Sequence, residues 1–143
     1  MVPLVTRPPT DSSERFVEPK YLGKPVSGPA TDLDTFPAPQ GIGTVVMNCD
    51  ELTSFCPVTG QPDFYTLSIE YDPDALCIES KSLKLFLWGF REQALFCEQL
   101  AVALRDRVVA SVRPSRCVIT LRQKARGGIS IDAVSRFPSC PVP

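Results

Sequence analysis

The sequence contains no histidine. That absence removes Ser-His-Asp triads, Cys-His dyads and every metal site built on imidazole, because histidine is the side chain whose ordinary titration falls near neutrality. Paired thiolates are missing as well. The six cysteines, at 49, 56, 77, 97, 117 and 140, are widely spread and nowhere form C-x-x-C, so no structural metal is expected. No stretch approaches the ~20 consecutive apolar residues that span a bilayer, and the opening MVPLVTRPPTDSSERF lacks a signal-peptide run. The chain therefore reads as cytoplasmic, with no membrane partner and with reduced thiols rather than disulfides. Excess charge is absent too: 15 Lys+Arg against 16 Asp+Glu leave a net −1, which gives no global reason to bind a polyanion.

What is present suits one globular domain. The chain has 143 residues, 43% hydrophobic and 22% charged, long enough for a real core. Eight of its 15 prolines fall in residues 1–40, in RPP, KPVSGP and FPAP. Those residues read as an extended or irregular arm with a disordered first dozen, and residues 41–143 as the folded domain. From Gly43 the pattern changes. TVVMNCD is β-branched and apolar, and FYTLSIEY alternates Leu67, Ile69 and Tyr71 with Thr66, Ser68 and Glu70, which predicts two strands. SKSLKLFLWGFREQ sets Leu83, Phe86, Leu87 and Phe90 at helical spacing, and ALFCEQLAVALRDRVVASV does the same with Phe96, Leu100, Leu104, Val108 and Val112. CVITLRQ and GISIDAV alternate again. Two strands, two helices and two strands predict an α+β fold, an antiparallel sheet covered on one face, with edges open to other copies of the chain.

Three stretches carry candidate chemistry. SFCPVTGQPDF (54–64) places Cys56 among turn formers ahead of Asp63. A thiol kept for packing belongs on an apolar face, whereas a thiol beside a proton-handling carboxyl on a turn suits nucleophilic chemistry. ESKSLKLF clusters Ser80, Lys81 and Lys84 at a helix start, where hydroxyl, ammonium and backbone N–H groups can hold phosphates. RGG at 126–128 offers a cation and a close backbone approach. Read alone, each also has a bland account: a packed cysteine, a solvated helix face, a strand-joining loop.

Together, FCPVTGQPDF (55–64), ESKSLKLFLWGFR (79–91) and RGGISID (126–132) resemble the QueF family of NADPH-dependent nitrile reductases, over roughly residues 41 to 132 with a weaker echo in DLDTFP. These enzymes convert 7-cyano-7-deazaguanine to 7-aminomethyl-7-deazaguanine in queuosine biosynthesis, a tRNA modification pathway. The resemblance implies the tunnelling fold, in which ββααββ subunits join their sheets into a barrel and two rings stack, with active sites at subunit interfaces. It implies Cys56 as the nucleophile that forms a thioimidate and Asp63 as its acid/base. It further implies Glu98, with Cys97 and Glu79, on the substrate, and Ser80, Lys81, Lys84, Arg126 and Gly127 on NADPH. One departure stands out. Where bacterial members read close to FRNHGDFHE, this chain has FREQALFCE, so Cys97 and Gln93 replace the two histidines. Thiols donate only weak hydrogen bonds, which leaves the proton to Asp63 or water. It also raises a reversible Cys56–Cys97 disulfide that would shield the nucleophile.

The alternative reading is an amidinotransferase like the archaeal QueF-like proteins, which act on nitrile-bearing tRNA without NADPH. The intact ESKSLKLF argues for the reductase. A purine-binding protein without turnover is a further alternative, while a zinc cyclohydrolase of the same fold is disfavoured by the missing histidine.

Overall fold

The computed structural model describes residues 19–23 and 28–139; the expected disorder of the first dozen residues, and Cys140, lie outside them. The alternation in FYTLSIEY produces β3 (Pro62–Asp72), which buries Asp63, Tyr65, Leu67, Ile69 and Tyr71 on one side. It pairs antiparallel with β2 (Val45–Phe55) on one edge and β5 (Arg116–Arg126) on the other, and β6 (Ile129–Phe137) completes the order β2-β3-β5-β6.

Between β3 and β5 the chain forms α1 (Ser80–Trp88) and α2 (Cys97–Val112), both packed over the inner face of the sheet. Leu100, Leu104, Val108 and Val112, each four residues from the last, form the buried stripe of α2 against Leu67, Ile69, Ile119 and Leu121. Burying each such side chain fully contributes about 1.5–3 kcal/mol, so this layer dominates the stability of the fold. The ββααββ order and one-sided helix layer are those of the tunnelling fold expected from the sequence.

Two features were not anticipated. Three-residue strands β1 (Thr35–Pro37) and β4 (Leu76–Ile78) pair antiparallel, and Ala30 donates its N–H to the Leu85 carbonyl at 3.0 Å. Residues 30–37 thus pack on their own chain. The first helix is also shorter than its apolar spacing. It ends at Gly89, and residues 89–93 continue as tight turns, with Phe90 N–H on the Leu87 carbonyl at 3.2 Å. Phe90 remains buried, edge-on to Phe86 with centroids 5.2 Å apart, so the apolar pattern was satisfied without helix.

Candidate active site

Two bulges determine which side chains reach one end of the inner face. In β2, Cys49 opposes Leu67 and Leu52 opposes Tyr65, so β2 holds one extra residue at Asp50–Glu51. A single extra residue inverts the alternation beyond it. Val45, Met47 and Cys49 turn toward the core before the bulge; Leu52, Ser54 and Cys56 do so after it. In β5, Gln123 opposes Ile131 and Arg126 opposes Ile129, a second extra residue. Cys117, Ile119, Leu121 and Gln123 are the buried positions of β5, and the bulge brings Arg126 round to their side. Cys56, Asp63, Gln123 and Arg126 therefore converge from three strands.

Cys56 opens the β2–β3 turn. Its N–H donates to the Gln61 carbonyl at 2.8 Å, and its own carbonyl accepts from Gly60 N–H at 2.9 Å. Gly60 lies at φ +70°, a left-handed conformation that glycine adopts without strain. This turn folds Thr59 back over the sulfur. The Thr59 hydroxyl, then the Thr59 N–H, the Arg126 guanidinium and the Val58 N–H draw the thiol from its ordinary 9.0 to about 6. Burial opposes the shift and is the smallest of these influences, although the residue is only 7% exposed. These contacts favour the thiolate form of Cys56.

Asp63 sits opposite Ser54 in the same hairpin with its side chain 3% exposed. Its Oδ1 lies 2.7 Å from Arg126 Nη1, yet the N–H is not directed at it, and Oδ1 makes no hydrogen bond among the described residues. A buried carboxylate oxygen with an open acceptor position is suited to receiving or delivering a proton at a bound molecule. Beside it Ser54 Oγ and Tyr65 OH are 3.1 Å apart.

A cleft of about 590 Å³ runs between β2 and α1, with Ser80, Lys84, Leu87, Trp88 and Arg91 on one wall and Val46 and Asp50 on the other. Glu79 caps α1: its carboxylate oxygens accept from Lys81 N–H and Ser82 N–H, each at 2.8 Å. The Lys81 ammonium donates to the Tyr21 carbonyl at 2.9 Å.

Comparison with known proteins identifies the family. A family model described as QueF-like protein matches residues 62–139. The NADPH-dependent 7-cyano-7-deazaguanine reductase of Frankia casuarinae is 41% identical over 116 residues, which cover 81% of this chain and 93% of that protein. The chain belongs to the QueF-like family. The reductase of the same name from Syntrophus aciditrophicus is 41% identical over 132 residues, 91% of each chain. The apo crystal structure of the archaeosine synthase QueF-Like aligns at a TM-score of 0.67 and 24% identity, covering 71% of this chain and 100% of that one. That likeness speaks for the fold alone.

Against this family background, the residues singled out in the sequence fall into separate places. Cys56, Asp63 and Arg126 come together. Ser80 and Lys84 face the α1 cleft, whose lining does not include Arg126. Glu98 is exposed in the first turn of α2. That turn is held at the Cys56 end of the sheet because Phe55 N–H donates to the Gln93 carbonyl at 2.9 Å and Leu95 N–H to the Phe55 carbonyl at 3.2 Å.

Cys97, where the resemblance implied a histidine, is 2% exposed, with its thiol 3.9 Å from the Leu121 carbonyl. Burial first, then the carboxylates of Glu98, Asp132 and Asp63, push that thiol up to about 11. Its surroundings favour the protonated thiol, the opposite of those at Cys56. Both thiols are free. Gln93, at the other replaced histidine, donates its side-chain amide to the Gly89 carbonyl at 3.1 Å. Thr59 and Gln123 were not singled out in the sequence. Thr59, three residues after Cys56 in a turn, carried a local signal; Gln123 carried none, since only the sheet register places it.

Proposed function

We propose that this protein reduces the nitrile of 7-cyano-7-deazaguanine to the aminomethyl group with NADPH, through a thioimidate on Cys56, as a cytoplasmic step in queuosine biosynthesis. The observation that carries it is a thiolate-prone Cys56 and a buried Asp63 carboxylate with an open acceptor position, both acting on the same Arg126 guanidinium. The names of the relatives support the substrate and the cofactor, and five free thiols among the described residues suit a reducing compartment.

The Cys56 thiolate adds to the nitrile carbon, forming a C–S bond as the triple bond becomes a C=N double bond. The nitrogen takes up a proton through Asp63. Glu98 accepts from a ring N–H and the exocyclic amino group of the base, which fixes the nitrile over the sulfur. A thiolate that is stable near neutrality also leaves readily, so Cys56 departs once the first reduction is made. NADPH, when bound, supplies the two hydrides that conversion of a nitrile to an amine consumes. The Ser80 hydroxyl and Lys84 ammonium on the α1 cleft, with Lys81 beside them, fit its phosphates, and Gly127, at φ +57°, leaves room for close approach. Glu79 acts as the α1 cap that presents these groups. β2 and β6, the two edges of the sheet, join neighbouring copies into a ring with active sites at the joints.

The test follows NADPH absorbance with the free nitrile base, counting amine by mass. The reductase consumes two NADPH per amine formed. Nitrile consumption that needs ammonia and leaves NADPH untouched would indicate the amidinotransferase instead.

A further inference from the structure

Arg126 was expected at the cofactor phosphates, but its guanidinium is engaged elsewhere. Nη1 lies 2.7 Å from Asp63 Oδ1. With the Gln123 amide oriented so that its oxygen faces the guanidinium, that oxygen accepts from Arg126 Nη2 at 2.7 Å and from Nε at 2.9 Å. The fork is thus gripped on one side by a buried amide, while Nη1 lies beside the carboxylate without directing an N–H at it. The bulge between Gln123 and Arg126 is what allows this, since in regular alternation Arg126 would point to the opposite face of β5. The charge of the same guanidinium also acts on the Cys56 sulfur and favours its thiolate.

We infer that Arg126, held in place by Gln123, is a positioning residue for the nucleophile. It fixes the Cys56 sulfur as a thiolate next to Asp63 before any cofactor is present. This rests on the reading of Cys56 as the nucleophile and deepens it. Among the groups that draw the thiol down, the guanidinium is the cation. The other groups around this end of the sheet are the carboxylates of Asp63 on β3, Glu98 on α2 and Asp132 on β6, with the neutral Tyr65 phenol and the Cys97 thiol. All the charged ones oppose a thiolate. Without Arg126 the pull toward the thiolate at Cys56 would be weaker. Thr59, which acts more strongly still, would remain.

The test is the pH dependence of iodoacetamide labelling at Cys56 in the full chain, without NADPH or nitrile, resolved by peptide mass. Wild type is expected to show a midpoint near the value of about 6 that the site imposes. Arg126→Gln moves the midpoint upward, and each unit of displacement lowers labelling below it by about tenfold. Arg126→Lys keeps the charge but cannot grip Gln123 and Asp63 together, so its midpoint falls between the two. Cys117, fully buried, must stay unlabelled in every variant as the check on folding. If Arg126→Gln fails that check, Arg126→Lys and Gln123→Met decide, both with an upward displacement smaller than the loss of the guanidinium would give. An unmoved midpoint in the folded variants, with only the KM for NADPH raised, would overturn the inference and return Arg126 to the phosphates. Labelling requires no turnover, so it reads Arg126 even if the nitrile chemistry proves wrong.

Discussion

At the residue scale, two cysteines at one end of the sheet are driven in opposite directions. Thr59 and Arg126 lower Cys56 to about 6, while burial and three carboxylates raise Cys97 to about 11. Their roles follow from their neighbours, not from the thiol itself. Native protein at pH 7 should therefore be alkylated at Cys56, and Cys97 should react only after unfolding; peptide mapping checks both. Asp63→Asn leaves that labelling possible but removes the proton carrier, and product formation should fall by about 10²–10⁴-fold. Equal product from Asp63→Asn would place the acid elsewhere.

At the element scale, bulges and caps set the site. Glu79 satisfies two N–H groups of α1 that have no partner within the helix, so Glu79→Ala should lower stability by about 1–2 kcal/mol, read as a fall in Tm. If Glu79 instead served mainly as a substrate ligand, Tm would hold while the KM for the nitrile rose. The strands and α2 were legible because alternation and four-residue spacing survive in FYTLSIEY and in Leu100, Leu104, Val108 and Val112. The bulges were not legible. Asp50–Glu51 and Lys124–Ala125 carry no glycine or other local mark, and the inversion they cause appears only once strands are paired. That is why the motif pointed to Cys56 and Asp63 while Arg126 was read as a phosphate ligand: its distance from them along the chain hides a shared face. β1 and β4, three residues each, are too short for any periodicity to show.

At the scale of the molecule, β2 and β6 run 11 and 9 residues with one side of each unpaired in the sheet. Val46 and Val134 are exposed on these edge strands. Long, partly apolar edges invite pairing, and native mass spectrometry should give a multiple of the single-chain mass. A fully active monomer at all concentrations would contradict a site completed by a neighbouring copy. The proposed function rests on one chemical event, the bond between the Cys56 sulfur and the nitrile carbon. Incubation with 7-cyano-7-deazaguanine in the absence of NADPH, followed by intact mass and peptide mapping, tests it most directly. The account predicts one nitrile added per chain at Cys56, none in Cys56→Ala, and loss of the adduct to amine when NADPH is supplied. An unmodified Cys56 in a protein that still makes the amine would contradict it.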